Sequence, residues 1–252
     1  MGMKATYRIG QIVPSSNVTM ETEIPFMLGQ RQQIRPERFT FHSSRMRMKT
    51  VQKDELASMD GESDRCAVEL SDAGLDVLGY ACLVAIMAMG PGYHRQSQQR
   101  LHQRTVDNGH PAPVVTSAGA LIDALGILGA RKIALVAPYM RPLTETVVDY
   151  IRAEGIEVVD WAALEIPNNL DVARHDTARL PAIVQSLNIK DVDAIVVSAC
   201  VQMPSLAIVP RVEALTRKPV ITAAIATTYA MLKALHLEAV VPGAGALLSG
   251  AY

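Results

Sequence analysis

The 252-residue sequence predicts an α/β fold with two pseudo-symmetric lobes, each a four-stranded parallel sheet flanked by helices. Three observations support this fold class. Short apolar runs alternate with longer amphipathic stretches, which is typical of βαβ units. The apolar runs are almost continuously hydrophobic, as expected for parallel strands covered on both faces. The whole pattern also occurs twice along the chain.

Eight apolar runs are predicted to be strands, and the amphipathic stretches between them are predicted to be helices. The strands are at 8–13, 38–41, 76–81, 113–115, 132–137, 156–161, 193–199 and 219–222. The helices are at 53–72, 95–108, 117–129, 142–153, 173–187, 204–216 and 224–236. A further helix over 18–28 is expected to start at Ser15-Ser16-Asn17, with a serine as its N-cap and Asn17 directed towards the cleft.

The repeat consists of three pairs of similar segments that occur in the same order. RIGQIVP (8–14) aligns with KIALVAP (132–138), GYACLV (79–84) with VSACVQ (197–202), and PVVTSAGALIDAL (113–125) with PVITAAIATTYAML (219–232). Two copies of a four-strand unit predict two lobes that face each other across an active-site cleft. We place the first lobe at 1–116 with 224–252 and the second at 117–223. The alternative is that any two α/β units look alike at this level.

Charge and composition exclude several classes of protein. There are 24 Lys and Arg against 25 Asp and Glu, and no basic stretch beyond RMRMK (45–49), which argues against a nucleic-acid partner. A hydrophobic content of 49% argues against disorder. Three cysteines are too few for a disulfide framework, so we expect a reducing, cytoplasmic location.

Membrane segments are not expected. The longest uncharged run, 77–93, ends in Gly90-Pro91-Gly92 and is only 17 residues long, so we predict a buried strand followed by a loop. The N-terminus has no apolar core of the kind found in signal peptides. We therefore expect no membrane partner.

The cysteines divide into two groups. Cys82 and Cys200 follow equivalent strands of the two copies, at the carboxyl ends where open α/β sheets bind ligands. A helix N-terminus after each would lower the pKa of its thiol. Cys66 lies within the helical stretch 53–72 and is interpreted as a core residue. A core role is also the alternative for the other two.

Polar residues follow other strands at the same predicted edge. Asn17 follows the first strand of copy one, Tyr139 the first strand of copy two, and Asn169 lies in the loop after the second strand of copy two. They could contact a bound ligand, although turn chemistry alone also explains asparagine in a loop. Arg47 and Arg141 are candidates for a cationic group that faces the cleft.

Motifs for cofactors and metals are missing. The sequence has neither Gly-x-x-x-x-Gly-Lys-[Ser/Thr] nor Gly-x-Gly-x-x-Gly after the first strand. The six histidines form no HExxH or i,i+4 pair, so neither a metal site nor a cofactor is expected. His94 and His102 are predicted to lie on a polar, solvated helix.

These segments carry a family resemblance. GQIVPSSNVTMETEIP (10–25), Cys82 in GYACLVA and Cys200 in VSACVQMPS resemble the Asp/Glu racemase superfamily, and within it the maleate cis–trans isomerase family. The resemblance covers about residues 8–236. It implies that Cys82 is the nucleophile and that Cys200 handles a proton. It further implies carboxylate-binding side chains and backbone donors at Asn17, Tyr139, Asn169, Leu83, Val84, Val201 and Gln202.

Two differences separate this sequence from other branches of the superfamily. Leu-Val and Val-Gln follow the two cysteines, where the amino-acid racemases usually carry Asn-Thr or Thr-His. The related arylmalonate decarboxylases resemble the N-terminal segment but keep only the second cysteine, so Cys82 disfavours that activity.

The resemblance implies conversion of maleate to fumarate through a covalent succinyl-cysteine, without a cofactor, by a homodimer that serves nicotinate degradation. The expected partner is a small dicarboxylate. Three alternatives remain open: an amino-acid racemase, a non-catalytic dicarboxylate-binding protein, and a redox switch in which Cys82 and Cys200 form a disulfide.

Overall fold

The structure is a computed structural model that describes residues 6–48, 51 and 53–252. Residues 1–5, where the predicted first lobe begins, and Lys49, the last residue of RMRMK, lie outside the described residues.

The first sheet is built from four parallel strands in the N-terminal half of the chain. They are β1 (Thr6–Pro14), β2 (Arg38–Met46), β3 (Val77–Tyr80) and β4 (Val114–Thr116). Their order across the sheet is β2-β1-β3-β4, and each neighbouring pair is parallel. The central strands are apolar and buried, because helices cover both faces.

The second sheet repeats this arrangement. Its strands are β5 (Lys132–Ala137), β6 (Glu157–Ala163), β7 (Ala194–Ser198) and β8 (Val220–Thr222). The order is β6-β5-β7-β8, again parallel throughout, so each strand has the position of its counterpart in the first sheet. The predicted fold class of two four-stranded parallel sheets is thus confirmed.

Ten α-helices connect the strands in the described part of the chain. They are α1 (Met20–Arg31), α2 (Lys53–Ser71), α3 (Leu83–Met87), α4 (Tyr93–Asp107), α5 (Ser117–Ile127), α6 (Arg141–Ala153), α7 (Asn169–Ala173), α8 (Leu180–Ser186), α9 (Val209–Thr216) and α10 (Ala223–Ala234). None of the helices in the described ranges is long and apolar enough to cross a membrane.

Three sequence-based assignments were wrong in detail. The run 77–93 contains the short helix α3 between its strand and its loop. The single helix predicted at 173–187 is instead the 3₁₀ turn Thr177–Arg179 followed by α8, because Asp176 accepts a backbone N–H and begins a separate turn; α7, which Asn168 caps, ends at Ala173, where the predicted helix begins. Strand β2 continues to Met46, where it pairs with Pro14 at the end of β1.

His94 also differs from its prediction. Its side chain is 3% exposed rather than solvated, and its ring and backbone N–H contact the hydroxyl of Tyr150 on α6. Gly119 on α5 lies close enough that an added Cβ would meet the His94 ring at 3.0 Å. The first turn of α4 therefore packs inside the molecule, where it joins α5 and α6.

The C-terminal helix α10 packs against α5 and also contacts β3 and β4 of the first sheet. These contacts place part of the C-terminal segment beside the N-terminal half of the chain. The division into 1–116 with 224–252 and 117–223 stays a prediction.

Candidate active site

A small cavity lies where the carboxyl ends of the two sheets meet. Its volume is about 20 Å³, which is room for about one water molecule. The lining residues are Pro14, Asn17, Met48, Val51, Cys82, Leu83, Val84, Tyr139, Asn169, Cys200, Val201 and Gln202. All nine site residues predicted from the sequence line this one cavity. Their individual roles stay predictions.

The two cysteines occupy matching places in the repeat. Cys82 lies two residues beyond the end of β3, and Cys200 lies two residues beyond the end of β7. Strands β3 and β7 each stand third in the order of their sheets. Both cysteines are 7% exposed, and each follows a buried strand into the cavity. Cys66 is fully buried within α2, as predicted for a core residue.

The backbone at Cys82 is strained. Its φ of 153° and ψ of 82° belong to a region that L residues other than glycine rarely adopt. Cys82 is the N-cap of α3, so this conformation turns the chain from the strand directly into the helix. The backbone N–H of Ala85, in the first turn of α3, donates to the Cys82 sulfur.

The surroundings of Cys200 are different. No helix begins directly after it, and the next helical turn starts only at Leu206, so the predicted helix N-terminus is present for Cys82 but not for Cys200. The Gln202 N–H donates to the Cys200 sulfur at 3.4 Å. The Tyr139 hydroxyl contacts the same thiol and donates to the Ala199 carbonyl at 3.1 Å.

The pKa values of both thiols are raised, contrary to the prediction that helix N-termini would lower them. Burial raises the pKa of Cys82 to about 12, and the negative charges of Cys200, when it is ionised, and of Asp60 act in the same direction. Burial also raises the pKa of Cys200, but hydrogen bonds from Tyr139 and from the Gln202 and Met203 backbone oppose it. The two thiols are therefore distinguished by the number of donors that face them.

The sequence predicted a serine as the N-cap of the first helix, but the side chain that accepts a backbone N–H there belongs to Asn17. Its Oδ1 accepts the Met20 N–H at 3.0 Å, at the start of α1. Ser15 is bonded to the Met48 backbone instead, and the Ser16 hydroxyl accepts from Asn169 Nδ2 at 2.8 Å. Because Asn17 Oδ1 is occupied, the Nδ2 end of this side chain is the one available to a carboxylate.

The cavity carries no cationic side chain among the residues that the structure describes. Arg47 is exposed, and Arg141 is exposed with its guanidinium 5.0 Å from the centre of the Trp161 ring. Within the described ranges, no cluster of His, Cys, Asp or Glu could hold a metal ion. A bound carboxylate would therefore contact neutral donors.

Sequence reasoning missed three lining residues. Pro14 ends β1, and Met48 and Val51 belong to the connection between β2 and α2. The predicted strand at 38–41 ended too early to bring this connection to the site. Only the parallel pairing of β2 with β1 as far as Met46 could have indicated that this connection reaches the cavity.

Comparisons with known proteins agree with this geometry. A family model described as arylmalonate decarboxylase matches residues 9–248. A maleate isomerase from Pseudomonas putida is 73% identical over 99% of this chain and 100% of its own length. A crystal structure is known of the maleate isomerase Iso from Pseudomonas putida S16, as a cysteine-to-alanine variant with maleate. That chain is 66% identical in sequence to this one, and the two superpose with a TM-score of 0.97. The match covers 98% of this chain and 99% of that one.

A third relative is the maleate cis–trans isomerase of Nocardia farcinica. Its structure is that of a cysteine-to-serine variant with a covalently bound succinylcysteine intermediate. The two sequences are 45% identical, and the structures superpose with a TM-score of 0.94. The match covers 98% of this chain and 100% of that one.

Proposed function

The chain belongs to the arylmalonate decarboxylase family and, within it, to the maleate isomerases, and we propose that it converts maleate to fumarate through a covalent bond to Cys82. One observation carries the proposal. Cys82 and Cys200, from the two copies of the repeat, line one cavity together with the neutral hydrogen-bonding side chains of Asn17, Tyr139 and Asn169.

The first step must remove the double bond, because maleate cannot rotate about C2=C3. The Cys82 thiolate adds to C2, and the π electrons move to C3 and into the carboxylate attached to it. The Cys200 thiol donates its proton to C3. The product is a succinyl thioether on Cys82, with Cys200 left as the thiolate.

The second half reverses these bonds after a rotation. C2–C3 is now a single bond, so the chain turns about it to the trans geometry. The Cys200 thiolate removes a proton from C3, the double bond forms again, and the C–S bond to Cys82 breaks. Fumarate leaves, Cys82 is again a thiolate and Cys200 again a thiol, so no redox step is required.

Neutral donors hold the charge that develops on the substrate carboxylate. Asn17, Tyr139 and Asn169 are buried, with exposed fractions of 1%, 5% and 4%, so their hydrogen bonds act away from bulk water. Leu83, Val84, Val201 and Gln202, the residues expected to offer backbone donors, line the same cavity. Preorganised dipoles of this kind lower the energy of an anionic transition state without reorganisation.

The thiol pair must contain one proton when the reaction starts. Because burial raises the pKa of both thiols, the pair holds two protons at neutral pH in the closed cavity. The reactive form, with Cys82 as thiolate and Cys200 as thiol, is therefore a minority. Its population increases with pH through the first apparent pKa of the pair.

The test compares turnover of the wild-type chain with that of Cys82→Ala. Wild-type protein is expected to form fumarate from maleate, followed by the ultraviolet difference between the isomers, and Cys82→Ala is expected to lose at least about a thousandfold in kcat. Cys66→Ala is the matched control and should retain turnover. A racemase would instead exchange the α-proton of an amino acid, and a binding protein would show no turnover. Unchanged turnover in Cys82→Ala would show that the nucleophile is a different group.

Several accompanying features remain predictions from the sequence and from the family resemblance. They are the absence of a cofactor, the homodimer, the cytoplasmic location and the link to nicotinate degradation.

A further inference from the structure

The side chain of Gln202 joins three segments around the cavity. Its Oε1 accepts the Val18 N–H at 2.9 Å and the Thr19 N–H at 3.3 Å. Its Nε2 donates to the Ser16 carbonyl at 2.9 Å and to the Asn169 carbonyl at 3.0 Å. An amide has two acceptor positions and two donors, so all four are used. The side chain is 2% exposed, and its orientation is fully determined.

These partners lie beside the two asparagines that are expected to bind carboxylates. Ser16 and Val18 are the neighbours of Asn17 in the chain. Asn169 is itself a partner, because its backbone carbonyl accepts a hydrogen bond from the Gln202 side chain. The Asn169 side chain in turn donates to the hydroxyl of Ser16, the residue before Asn17. Moving Gln202 would therefore move both of them.

Gln202 is also tied to Cys200 through its backbone. Its N–H donates to the Cys200 sulfur, and its carbonyl accepts the Thr19 hydroxyl at 2.7 Å. The residue thus connects the thiol at the end of β7 with the loop that follows β1, 183 to 186 residues earlier in the chain.

We infer that Gln202 is a positioning residue, whose side chain sets the spacing between Cys200 and the carboxylate-binding Asn17 and Asn169. This inference rests on the proposed function, because it takes those two asparagines to be substrate contacts. With all four positions of its amide bonded to the protein, the Gln202 side chain acts through these neighbours.

The chemistry of the four bonds explains why an amide is needed here. A carboxylate in its place would oppose the carbonyls of Ser16 and Asn169, since it has no N–H to donate. Methionine has nearly the same length but provides no hydrogen bond. A displacement of about 1 Å in groups that position a substrate can reduce the rate by about a hundredfold.

Glu23, in the first turn of α1, offers a matched control. Its Oε1 accepts the Ser205 N–H at 2.7 Å and the Leu206 N–H at 2.8 Å, so it also joins the loop after β7 to the segment after β1. Its described hydrogen bonds include neither Asn17 nor Asn169. Gln202→Met and Glu23→Met each replace a polar side chain by a near-isosteric apolar one. Only Gln202→Met disturbs the asparagines.

The first experiment compares steady-state kinetics with maleate and thermal midpoints for wild type, Gln202→Met and Glu23→Met. We expect Gln202→Met to lower kcat/KM by at least about thirtyfold with a raised KM, and Glu23→Met to stay within about threefold of wild type, although both lower the midpoint. Equal losses in the two variants, or near-normal kcat/KM in Gln202→Met, would overturn the inference. If Gln202→Met does not fold, Gln202→Asn replaces it, and normal kinetics of that shortened amide would overturn it equally.

The second experiment separates this inference from the proposed function. Maleate binding is measured by calorimetry in Cys82→Ala, with and without Gln202→Met. Affinity at least tenfold weaker in the double variant supports the positioning role, and equal affinity contradicts it. If the wild-type chain forms no fumarate, the proposed function fails, while this comparison still decides whether Gln202 positions the binding groups.

Discussion

Cys82, the proposed nucleophile, has a backbone conformation that glycine adopts more readily. The φ of 153° brings the thiol and the first turn of α3 to the same side of the chain end, where both border the cavity. Such a conformation costs about 1–3 kcal/mol and persists only when the surroundings enforce it. The site therefore holds Cys82 in place at the expense of stability.

This strain predicts an order of stability among variants at position 82. Cys82→Gly should be more stable than Cys82→Ala by about 1 kcal/mol, because the relief of strain exceeds the greater flexibility of glycine in the unfolded chain. Both variants should lack turnover. Urea unfolding of the two proteins measures the difference. A Cys82→Ala protein that is as stable as Cys82→Gly would mean that the conformation is not strained.

Asp60 supports both ends of the segment that carries Cys82. Its carboxylate, 2% exposed, accepts the hydroxyls of Tyr80 at 2.8 Å and Tyr93 at 2.7 Å, and Arg100 at 2.9 Å. Tyr80 ends β3 and Tyr93 begins α4, so one buried group fixes the chain on either side of Cys82. Its negative charge also raises the pKa of Cys82.

The pH dependence of kcat/KM follows from these charges. In the wild type, kcat/KM should still be rising with pH above 8, because the pKa values of both thiols are raised and one proton must leave the pair. Asp60→Asn should shift this rise to lower pH, since it removes a negative charge near Cys82. It should also destabilise the fold by about 2 kcal/mol through the loss of charged hydrogen bonds. An unshifted profile would show that Asp60 is only structural.

At the scale of elements, β3 is held close to the helices that cover it. Gly79, three residues before Cys82, faces Met231 of α10 and Met20 of α1, and a Cβ built there would lie 2.1 Å and 3.2 Å from their terminal methyl groups. Glycine permits this close approach of helix and strand. This packing fixes the position of β3 relative to the helices, and with it the position of Cys82 beyond the end of the strand.

Gly79→Ala should therefore destabilise the protein by up to about 1 kcal/mol, the low end of the cost of overpacking, because the obstructing atom is the flexible end of the Met231 side chain. Met231→Ala, which removes the obstructing methyl group, should recover part of this loss in the double variant, so the two effects should not add. Denaturant unfolding of the single and double variants checks the coupling. Strictly additive free energies would contradict the close contact.

The elements show what the sequence could predict and why the rest was missed. The strands around β1, β3, β5 and β7 were found because their buried faces leave continuous apolar runs. Helix α3 was missed because all five of its residues, Leu83–Met87, are buried, so it has no polar face and no helical period. The helix predicted at 173–187 began too early because capping by Asp176 starts a separate 3₁₀ turn in a pattern that otherwise looks continuous, and α7 was missed because it is only five residues long.

At the scale of the whole molecule, part of the site could be predicted from the sequence and part could not. The repeat alone paired Cys82 with Cys200, because duplicated strand ends must meet where two similar sheets face each other. The hydrogen bonds of the Gln202 side chain could not be foreseen, because its partners near Asn17 are more than 180 residues away. Local patterns cannot specify contacts that depend on how the two halves of the chain meet.

The closed cavity also has a consequence for the whole molecule. A space of about 20 Å³ is smaller than a four-carbon dicarboxylate, so the segments that border it must separate before substrate enters. Residues from the loops after β1, β2, β3, β5, β6 and β7 all line the cavity. Access therefore depends on the relative position of the two halves, which the side chain of Gln202 ties together.

The central claim is that Cys82 forms the covalent bond, and intact-mass measurement of Cys200→Ser incubated with maleate tests it most directly. In this variant water must supply the proton to C3, and without the Cys200 thiolate to remove it again, the adduct should persist. The account predicts a mass gain of one maleic acid, located on Cys82 by peptide mapping and missing from the Cys82→Ala/Cys200→Ser double variant, which still contains Cys66. A wild-type protein that isomerises maleate while Cys200→Ser gains no mass, or gains it at another residue, would contradict the account.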